Sequence, residues 1–472
     1  MTVISTKRET AAILRQTAEL AVAYLESLAD RPVGGEADAA VLRRELVTPL
    51  SEDGEDPAQV IEHLAEVGGR GAVAMAGPRY FGYVIGGSLP AALAADWLTS
   101  TWDQNAKLYS ASPAASVVEE AVGAWLIELF GLPPSSSHGL VTGCQMANFT
   151  CLAAARHAVL ERAGWDVTSR GLFGAPEIEV VVSAEAHSTI PRALQFLGLG
   201  RDRMRRVETD DQGRMRPDAL ASVLDEVPAG APLIVCLQAG NVNTGSFDPI
   251  AEAIRLARAK GSDVWVHIDA AFGMWAATSP TLRHLIAGHA EADSWATDSH
   301  KWLNVPYDSG LAFVADPEAH RRAMGPPHAA YLQYAQERDQ VFWVPEFSRR
   351  ARGFTVYAAL RTLGRSGVRE LVEGCCRLAR RMAEQLDAAD GVEVLNEVVL
   401  NQVLVRFRPP GGGDADAFTR EVIRRVQEEG TLWLSGTHWH DMAAMRISVS
   451  NWSTSEADAD ASVQAILRAA RA

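Results

Sequence analysis

The chain has 472 residues, 47% of them hydrophobic and 22% charged, with a formal net charge of −15 at pH 7. These proportions are those of a globular protein, and the length predicts about three domains. The acidic balance, with no basic cluster to offset it, argues against nucleic acid or an anionic membrane surface as a partner.

Cysteine usage and hydropathy indicate the compartment. The five cysteines are odd in number and lack the paired spacing of metal ligands, so we expect reduced core thiols. The first residues contain no apolar core of the kind that a secretory signal needs, and no stretch reaches the ~18 apolar residues of a membrane span. We therefore expect a cytoplasmic protein without a membrane anchor.

The first 75 residues are predicted to be helical. Apolar residues recur at helical spacing from Glu9 to Leu28, and shorter patterns follow at Ala40–Leu46 and Ala58–Val67. These helices would either dock on their own domain or leave apolar stripes for another subunit.

Two glycine-rich stretches follow. The first, residues 77–83, contains Tyr80 and Phe81, and such a cluster forms either a packed turn or the wall of a pocket. The second joins a short strand to a helix at Gly143, Cys144 and Gln145. Unpaired backbone N–H groups at the start of a helix suit a phosphate, although this motif is weak by itself.

Strand, loop and helix then alternate from about Ala114 to Val314, which predicts a mostly parallel sheet covered by helices on both faces. Binding sites in such sheets lie at the carboxyl ends of the strands. Polar residues stand at four predicted strand ends: His187, Asn241, Asp269 and Lys301. Each has an ordinary alternative, such as a satisfied core histidine, a turn asparagine, a capping carboxylate or a surface ammonium.

Lys301 and Asp269 form the most informative pair. A lysine at the rim of a buried sheet can have its pKa lowered by desolvation toward the neutral amine that forms Schiff bases. A buried Asp269 needs a partner, and the pyridinium nitrogen of pyridoxal phosphate is one. The small Ala271 leaves room for a flat ring.

Asp269-Ala270-Ala271 and Ser299-His300-Lys301-Trp302 together resemble the group II pyridoxal-phosphate-dependent amino acid decarboxylases, which include aromatic amino acid, glutamate and tyrosine decarboxylases. The resemblance extends from about Pro78 to about Trp452. It implies fold type I, like aspartate aminotransferase, with a large α/β domain and a small α+β domain. The implied boundaries are 1–75 for a helical dimerisation segment, 76–365 for the cofactor domain and 366–472 for the C-terminal domain.

The resemblance also implies residue roles. Lys301 would carry the cofactor as a Schiff base, Asp269 would keep the ring nitrogen protonated, and His187 would stack on the ring. Further cofactor contacts would come from Ala271, Cys144, Gln145, His300 and Asn241, with Asn243 as the alternative to Asn241. Tyr80 and Phe81 would line the substrate pocket. Because Cys144 and Gln145 replace the usual glycine and hydroxyl residue, only backbone contacts to the phosphate would remain.

The segment from Asp316 to Arg350 corresponds to the mobile lid of the family and contains Tyr331 and Tyr334. It is shortened, and no tyrosine stands just before Pro345, where the family has the tyrosine that delivers a proton. This departure leaves two alternatives to simple decarboxylation: decarboxylation with oxidative deamination to an aldehyde, and β-elimination.

We therefore expect decarboxylation of an L-amino acid, bulky or aromatic, by a homodimer whose active site lies at the interface. A non-catalytic binding relative is disfavoured, because Lys301 and Asp269 are both present. No metal site is expected, because His438 and His440 have no further ligands at a suitable spacing.

Overall fold

A seven-stranded sheet organises the large domain of the protein. The structure is a computed structural model that describes residues 7–261, 263–326 and 336–472. Its strands are β1 Ser137–Val141, β2 Glu179–Ser183, β3 Arg205–Val207, β4 Leu233–Gln238, β5 Val264–Asp269, β6 Ser294–Asp298, β7 Gly310–Val314, β8 Val392–Val394, β9 Gln402–Phe407, β10 Ser435–Trp439 and β11 Met442–Ser448. Its helices are α1 Lys7–Ser27, α2 Ala39–Leu46, α3 Pro57–Gly71, α4 Pro90–Trp102, α5 Pro113–Phe130, α6 Cys144–Arg162, α7 Val167–Arg170, α8 Thr189–Phe196, α9 Pro217–Asp225, α10 Ile250–Arg258, α11 Ser299–Trp302, α12 Pro317–Met324, α13 Gly353–Asp387, α14 Ala415–Glu429 and α15 Glu456–Arg471.

The strand order in the large sheet is β1-β7-β6-β5-β4-β2-β3. The five strands from β2 to β6 are parallel to their neighbours, whereas β7 runs antiparallel to both β6 and β1. Every residue of β4 and β5 is buried, as expected for strands with helices on both faces. The predicted mostly parallel sheet is therefore confirmed.

Alternation along the strands separates two layers of core. In β5, Val266 and Ile268 face the layer that contains α5 and α13, whereas Trp265 faces the layer that contains α6 and α8. Neighbouring side chains of a strand point to opposite faces, so a strand buried on both sides is apolar throughout. Both layers leave the carboxyl ends of β2, β4, β5 and β6 at one edge.

The C-terminal part of the chain forms a second, antiparallel sheet with the strand order β10-β11-β9-β8. The long helix α13 connects the two sheets and is interrupted at Gly364, whose φ of 60° is left-handed. Glycine adopts this conformation without a steric penalty. The interruption coincides with the domain boundary expected near residue 365, and the boundaries themselves stay a prediction.

The N-terminal helices lie on the outside of this body. Helix α1 buries none of its residues, although its sequence is amphipathic. In the described ranges, no helix combines the length and the apolar character that crossing a bilayer requires.

A buried ion pair fixes the segment that precedes α13. Arg349 Nη1 lies 2.6 Å from Glu119 Oε1 on α5, and the two side chains are 0% and 1% exposed. The same guanidinium donates hydrogen bonds to the backbone oxygens of Ala106 and Leu140. Losing one partner of such a pair leaves an uncompensated buried charge, which is far more costly than losing a surface pair.

Replacing Arg349 with Met should lower the free energy of unfolding by about 3–5 kcal/mol, because Glu119 would stay buried without its partner. Denaturant titration followed by tryptophan fluorescence measures the change. Arg365→Met is the matched control, since its ion pair with Glu128 is exposed and should contribute little. Equal effects of the two substitutions would contradict a special role for the buried pair.

Candidate active site

Lys301 lies in α11, a single helical turn that begins directly after β6. The turn is held by the N–H groups of Ser299 and His300, which both donate to the backbone oxygen of Ser309. Gly86 packs against this turn so closely that a Cβ atom there would lie 1.9 Å from the backbone oxygen of Lys301. Lys301 therefore occupies a fixed backbone position at the sheet edge.

The electrostatic environment of Lys301 differs from the expectation. Burial by itself lowers the pKa of this lysine, but the carboxylates of Asp298 and Asp269 raise it, and the net shift is upward. The main reason is contact with Asp298, whose Oδ2 lies 3.2 Å from Lys301 Nζ. The prediction of a lowered pKa was wrong for the free protein, because a carboxylate in contact outweighs desolvation.

Asp269 ends β5, the strand beside β6, and is 4% exposed. Its Oδ2 accepts hydrogen bonds from Asn148 Nδ2 at 3.1 Å and from Thr189 Oγ1 at 3.3 Å. Its Oδ1 accepts from the backbone N–H of Ala271 at 3.3 Å and from Cys144 Sγ at 3.5 Å. The carboxylate is thus oriented by four groups that are all neutral.

A hydrogen-bonded chain behind Asp269 holds Asn148 in place. Asn148 Oδ1 lies 2.9 Å from His267 Nε2, and His267 Nδ1 lies 2.9 Å from Ser294 Oγ. Burial lowers the pKa of His267 to about 4, so its ring is neutral at physiological pH. These hydrogen bonds fix the orientation of the Asn148 amide, so that its Nδ2 donates to the carboxylate of Asp269.

Two more histidines stand at the same edge. His187 follows β2, its Nδ1 lies 2.9 Å from Thr189 Oγ1, and burial lowers its pKa. His300 accepts a hydrogen bond from the N–H of Ser309 and stacks on Tyr307, with ring centroids 4.2 Å apart. Burial lowers the pKa of His300 as well.

The start of α6 faces this group. No side chain caps this 19-residue helix at Gly143, and a Cβ atom at Gly143 would lie 3.1 Å from His300 Cε1. Uncapped N–H groups at such a helix end attract anions. Cys144 is 5% exposed and burial raises its pKa, so it is a neutral thiol. The Gln145 side chain turns to the backbone oxygen of Thr189 at 3.3 Å.

The remaining predicted residues lie around this centre. Asn241 Oδ1 accepts hydrogen bonds from the N–H groups of Asn243 and Thr244, while its buried Nδ2 has no partner among the described residues. Asn243 Oδ1 instead accepts from Thr437. The choice between Asn241 and Asn243 stays open, and Tyr331 and Tyr334 of the lid lie outside the described residues.

The two aromatic residues predicted for the pocket are 1% exposed. The Tyr80 ring stacks on Trp433 with centroids 5.1 Å apart and planes 3° apart, and its hydroxyl has no partner in the described ranges. Phe81 packs in the main apolar core beside Val84. Of these two residues, Tyr80 is therefore the one with a polar side-chain atom that can form a hydrogen bond.

The pyridoxal-dependent decarboxylase conserved domain matches residues 41–408 of the chain. The chain belongs to this family.

Relatives of this decarboxylase extend over nearly its whole length. An aromatic-L-amino-acid decarboxylase of Bacillus atrophaeus is 26% identical over 441 residues, which cover 92% of this chain and 89% of the relative. The 4-hydroxyphenylacetaldehyde synthase of Rhodiola rosea is 26% identical over 451 residues, which cover 93% and 90%. The crystal structure of Oryza sativa TDC with PLP and tryptamine aligns with a TM-score of 0.92 at 22% identity, covering 100% of this chain and 99% of that one.

These findings confirm the expected fold, cofactor and reaction class, which is pyridoxal-phosphate-dependent decarboxylation of an amino acid. The residues present fit the cofactor. Asp269 is a buried carboxylate with neutral hydrogen-bond partners, which suits a protonated ring nitrogen. The uncapped start of α6 and the buried hydroxyl of Ser299, which has no hydrogen-bond partner among the residues that the structure describes, suit a phosphate.

Four residues of this centre were missed by sequence reasoning: Asp298, Asn148, Tyr307 and Arg446. Asn148 lies one helical turn after Cys144 in the sequence, and this spacing could have indicated that both residues face β5. Arg446 lies in β11. The residue is 7% exposed, and its Nη1 donates to the backbone oxygen of Val242 at 3.3 Å.

Replacing Asn148 with Leu should weaken cofactor binding by about tenfold or more, because one buried oxygen of Asp269 would lose a donor. Titration of the cofactor-free protein with pyridoxal phosphate, followed by tryptophan fluorescence, gives the dissociation constant. Thr150→Val is the control, since the Thr150 hydroxyl donates only to its own helix, at Met146. Unchanged affinity in the Asn148 variant would show that Asp269 does not need this donor.

Proposed function

We propose that this decarboxylase removes the α-carboxylate of a bulky or aromatic L-amino acid and releases the amine, with Lys301 as the residue that holds the cofactor. The observation that carries the proposal is the pairing of β5 with β6, which puts Asp269 and Lys301 at neighbouring strand ends. A buried carboxylate and a lysine in this relation suit the two ends of one cofactor ring.

Pyridoxal phosphate, when bound, supplies an aldehyde that condenses with amines and a ring that withdraws electrons from the α-carbon of the substrate. Asp269 would keep the proton on the ring nitrogen, because its carboxylate is buried and oriented by Asn148 and Thr189. His187 would pack against the ring, and Ala271 would leave space beside it. The N–H groups of Cys144 and Gln145 would bind the phosphate.

Arg446 is the candidate for binding the carboxylate of the substrate. Its side chain is buried, its hydrogen bonds go to the neutral acceptors of Val242 and Ser435, and burial lowers its pKa. Its charge also lowers the pKa of His187, as expected for a neighbour in the same site. A buried guanidinium with neutral partners favours an anion.

Tyr307 is the candidate for returning the proton to the α-carbon. It stacks on His300 and is 55% exposed, yet partial desolvation together with the charge of Asp298 raises its pKa to about 12. The phenol therefore keeps its proton at neutral pH. A proton donor beside Lys301 favours the amine as product even without a tyrosine just before Pro345.

The substrate side chain would lie against Tyr80. This phenol stacks on Trp433, and burial raises its pKa, so the hydroxyl is protonated. A flat, buried aromatic surface with one free hydroxyl suits an aromatic side chain with a polar substituent. Phe81 would support this wall from the core side.

Aldehyde formation is the second candidate. It is favoured by the likeness to the 4-hydroxyphenylacetaldehyde synthase of Rhodiola rosea along 93% of the chain. In that reaction, oxygen would oxidise the substrate after carbon dioxide has left, giving ammonia and hydrogen peroxide. β-Elimination is a third route, which would release ammonia and retain the carboxylate.

A panel of L-amino acids, incubated with the cofactor-loaded protein, should give carbon dioxide and amine without ammonia. Lys301→Ala should abolish this reaction and the borohydride-stable attachment of the cofactor, because no other group replaces the lysine amine. Lys260→Ala, on the turn after α10, should behave like the wild type.

Carbon dioxide with ammonia and peroxide would replace the amine proposal with aldehyde formation. Ammonia without carbon dioxide would indicate elimination. A cofactor that remains attached in the Lys301 variant would contradict the assignment of the lysine.

A homodimer is the second part of the proposal. Large apolar side chains are exposed on α1, on α4 and beside them: Leu14 59%, Val22 49%, Trp97 43%, Leu98 48% and Trp452 43%. A cavity of about 890 Å³ between α1, α3 and α4 is lined by Leu20, Tyr24, Ile61, Trp97 and Trp452. An apolar surface of this extent is typical of a protein interface. We propose that a second copy of the chain covers it.

We also propose that the protein belongs to the reducing cytoplasm, because its five cysteines are buried free thiols.

Trp97→Asp should convert the dimer to a monomer, because a carboxylate would be buried in the apolar interface. Sedimentation velocity measures the change in mass. Phe173→Asp is the matched control, since Phe173 is 95% exposed and lies outside the cavity lining. A wild-type protein that sediments as a monomer would contradict the proposal.

A further inference from the structure

Asp298 is a second buried carboxylate at the site. It ends β6 and is 2% exposed. Its backbone is fixed, because its N–H donates to the oxygen of Ala271 at 2.9 Å and its own oxygen accepts from Trp275 Nε1 at 3.1 Å. Its Oδ2 lies 3.2 Å from Lys301 Nζ, and its Oδ1 lies 3.4 Å from His300 Nε2.

We propose that Asp298 is a positioning residue that holds the proton on the Lys301 nitrogen, both in the free amine and after this nitrogen has joined the aldehyde of the cofactor. This inference rests on the proposed role of Lys301. It adds the counter-ion that determines the protonation state of the linkage.

The charges around Lys301 support this assignment. Six titratable groups face Lys301: Cys144, His187, Asp269, Asp298, His300 and Tyr307. Burial raises the pKa of Cys144 and of Tyr307, and it lowers the pKa of both histidines, so these four are neutral near pH 7. The charged groups that remain are Lys301 and the two carboxylates.

The two carboxylates differ in what satisfies them. Asp269 accepts hydrogen bonds from four neutral donors and is available to a ring nitrogen. Asp298 Oδ1 accepts no hydrogen bond within the described residues, and Oδ2 contacts Lys301 Nζ. The negative charge of Asp298 is therefore balanced by the lysine nitrogen, and neutralising that nitrogen would leave a buried anion whose other close neighbour, His300 Nε2 at 3.4 Å, belongs to a neutral ring.

The condensation retains this charge pair. For the amine to add to the aldehyde carbon, the Lys301 ammonium would first pass one proton toward the aldehyde oxygen. In the net reaction, that oxygen would leave as water with two of the three hydrogens of the ammonium. The third hydrogen and the positive charge stay on the nitrogen. An amino acid can exchange with a protonated linkage readily, because the positive charge makes the carbon more electrophilic.

The test is a pH titration of the visible absorbance of the cofactor-loaded protein, since protonated and unprotonated linkages absorb at different wavelengths. Asp298→Asn should lower the midpoint by about one to three pH units, because an opposite charge in contact is removed. Asp298→Glu, which retains the charge, should restore most of the shift. Asp308→Asn is the matched control, because its carboxylate pairs with Arg352 at 2.6 Å and not with Lys301.

An unchanged midpoint in Asp298→Asn, or an equal shift in Asp308→Asn, would overturn the inference. The wild type alone also tests it, whether or not the variant folds: a linkage that loses its proton below about pH 7 would overturn it. Borohydride reduction followed by peptide mapping distinguishes a failure of the role of Asp298 from a failure of the proposed function. Cofactor fixed to Lys301 with an unchanged midpoint refutes only the role of Asp298, whereas cofactor fixed elsewhere refutes the proposed function with it.

Discussion

Burial of negative charge at the ends of two neighbouring strands is the constraint on which the site depends. Asp269 and Asp298 end β5 and β6, and both are almost fully buried. A carboxylate is stable in such surroundings only if donors or cations surround it. Four neutral donors orient the first, and the lysine nitrogen balances the second. The remaining polar groups of the site keep these two charges apart and give each of them different partners.

The supporting layer is neutral for the same reason. His267, Asn148 and Thr189 link the interior of the sheet to Asp269 without adding charge. A charged histidine in this chain would compete with the ring nitrogen of the cofactor for the carboxylate. The low pKa of His267 avoids that competition. In the role proposed for Asp269, these neutral groups would leave the ring nitrogen of the cofactor as the cation that its carboxylate contacts.

Sequence reasoning predicted the parts of this arrangement that follow from strand order. His187, Asp269 and Lys301 meet because parallel strands end at one edge, and the motif around each residue marks where its strand ends. The third helix was predicted at 58–67 and extends over Pro57–Gly71, a difference of the size expected at helix ends. Contacts between side chains could not be predicted in this way. The raised pKa of Lys301 depends on its contact with Asp298. The hydrogen bonds of Asn148 to Asp269 and of Arg446 to Val242 join residues more than 100 positions apart in sequence.

The close approach of Gly86 to Lys301 has a consequence for how the substrate range of this decarboxylase can diverge. Tyr80 and Gly86 belong to the same loop, but they tolerate change very differently. A substitution at position 80 alters the packing of a buried side chain, because the Tyr80 ring is 1% exposed and stacks on Trp433. Position 86 cannot accept even a methyl group, because that atom would overlap the backbone of the lysine turn. With the roles proposed for Tyr80 and Lys301, one end of the loop would contact the substrate through a side chain, while the other end is restricted to glycine by the backbone of the lysine turn.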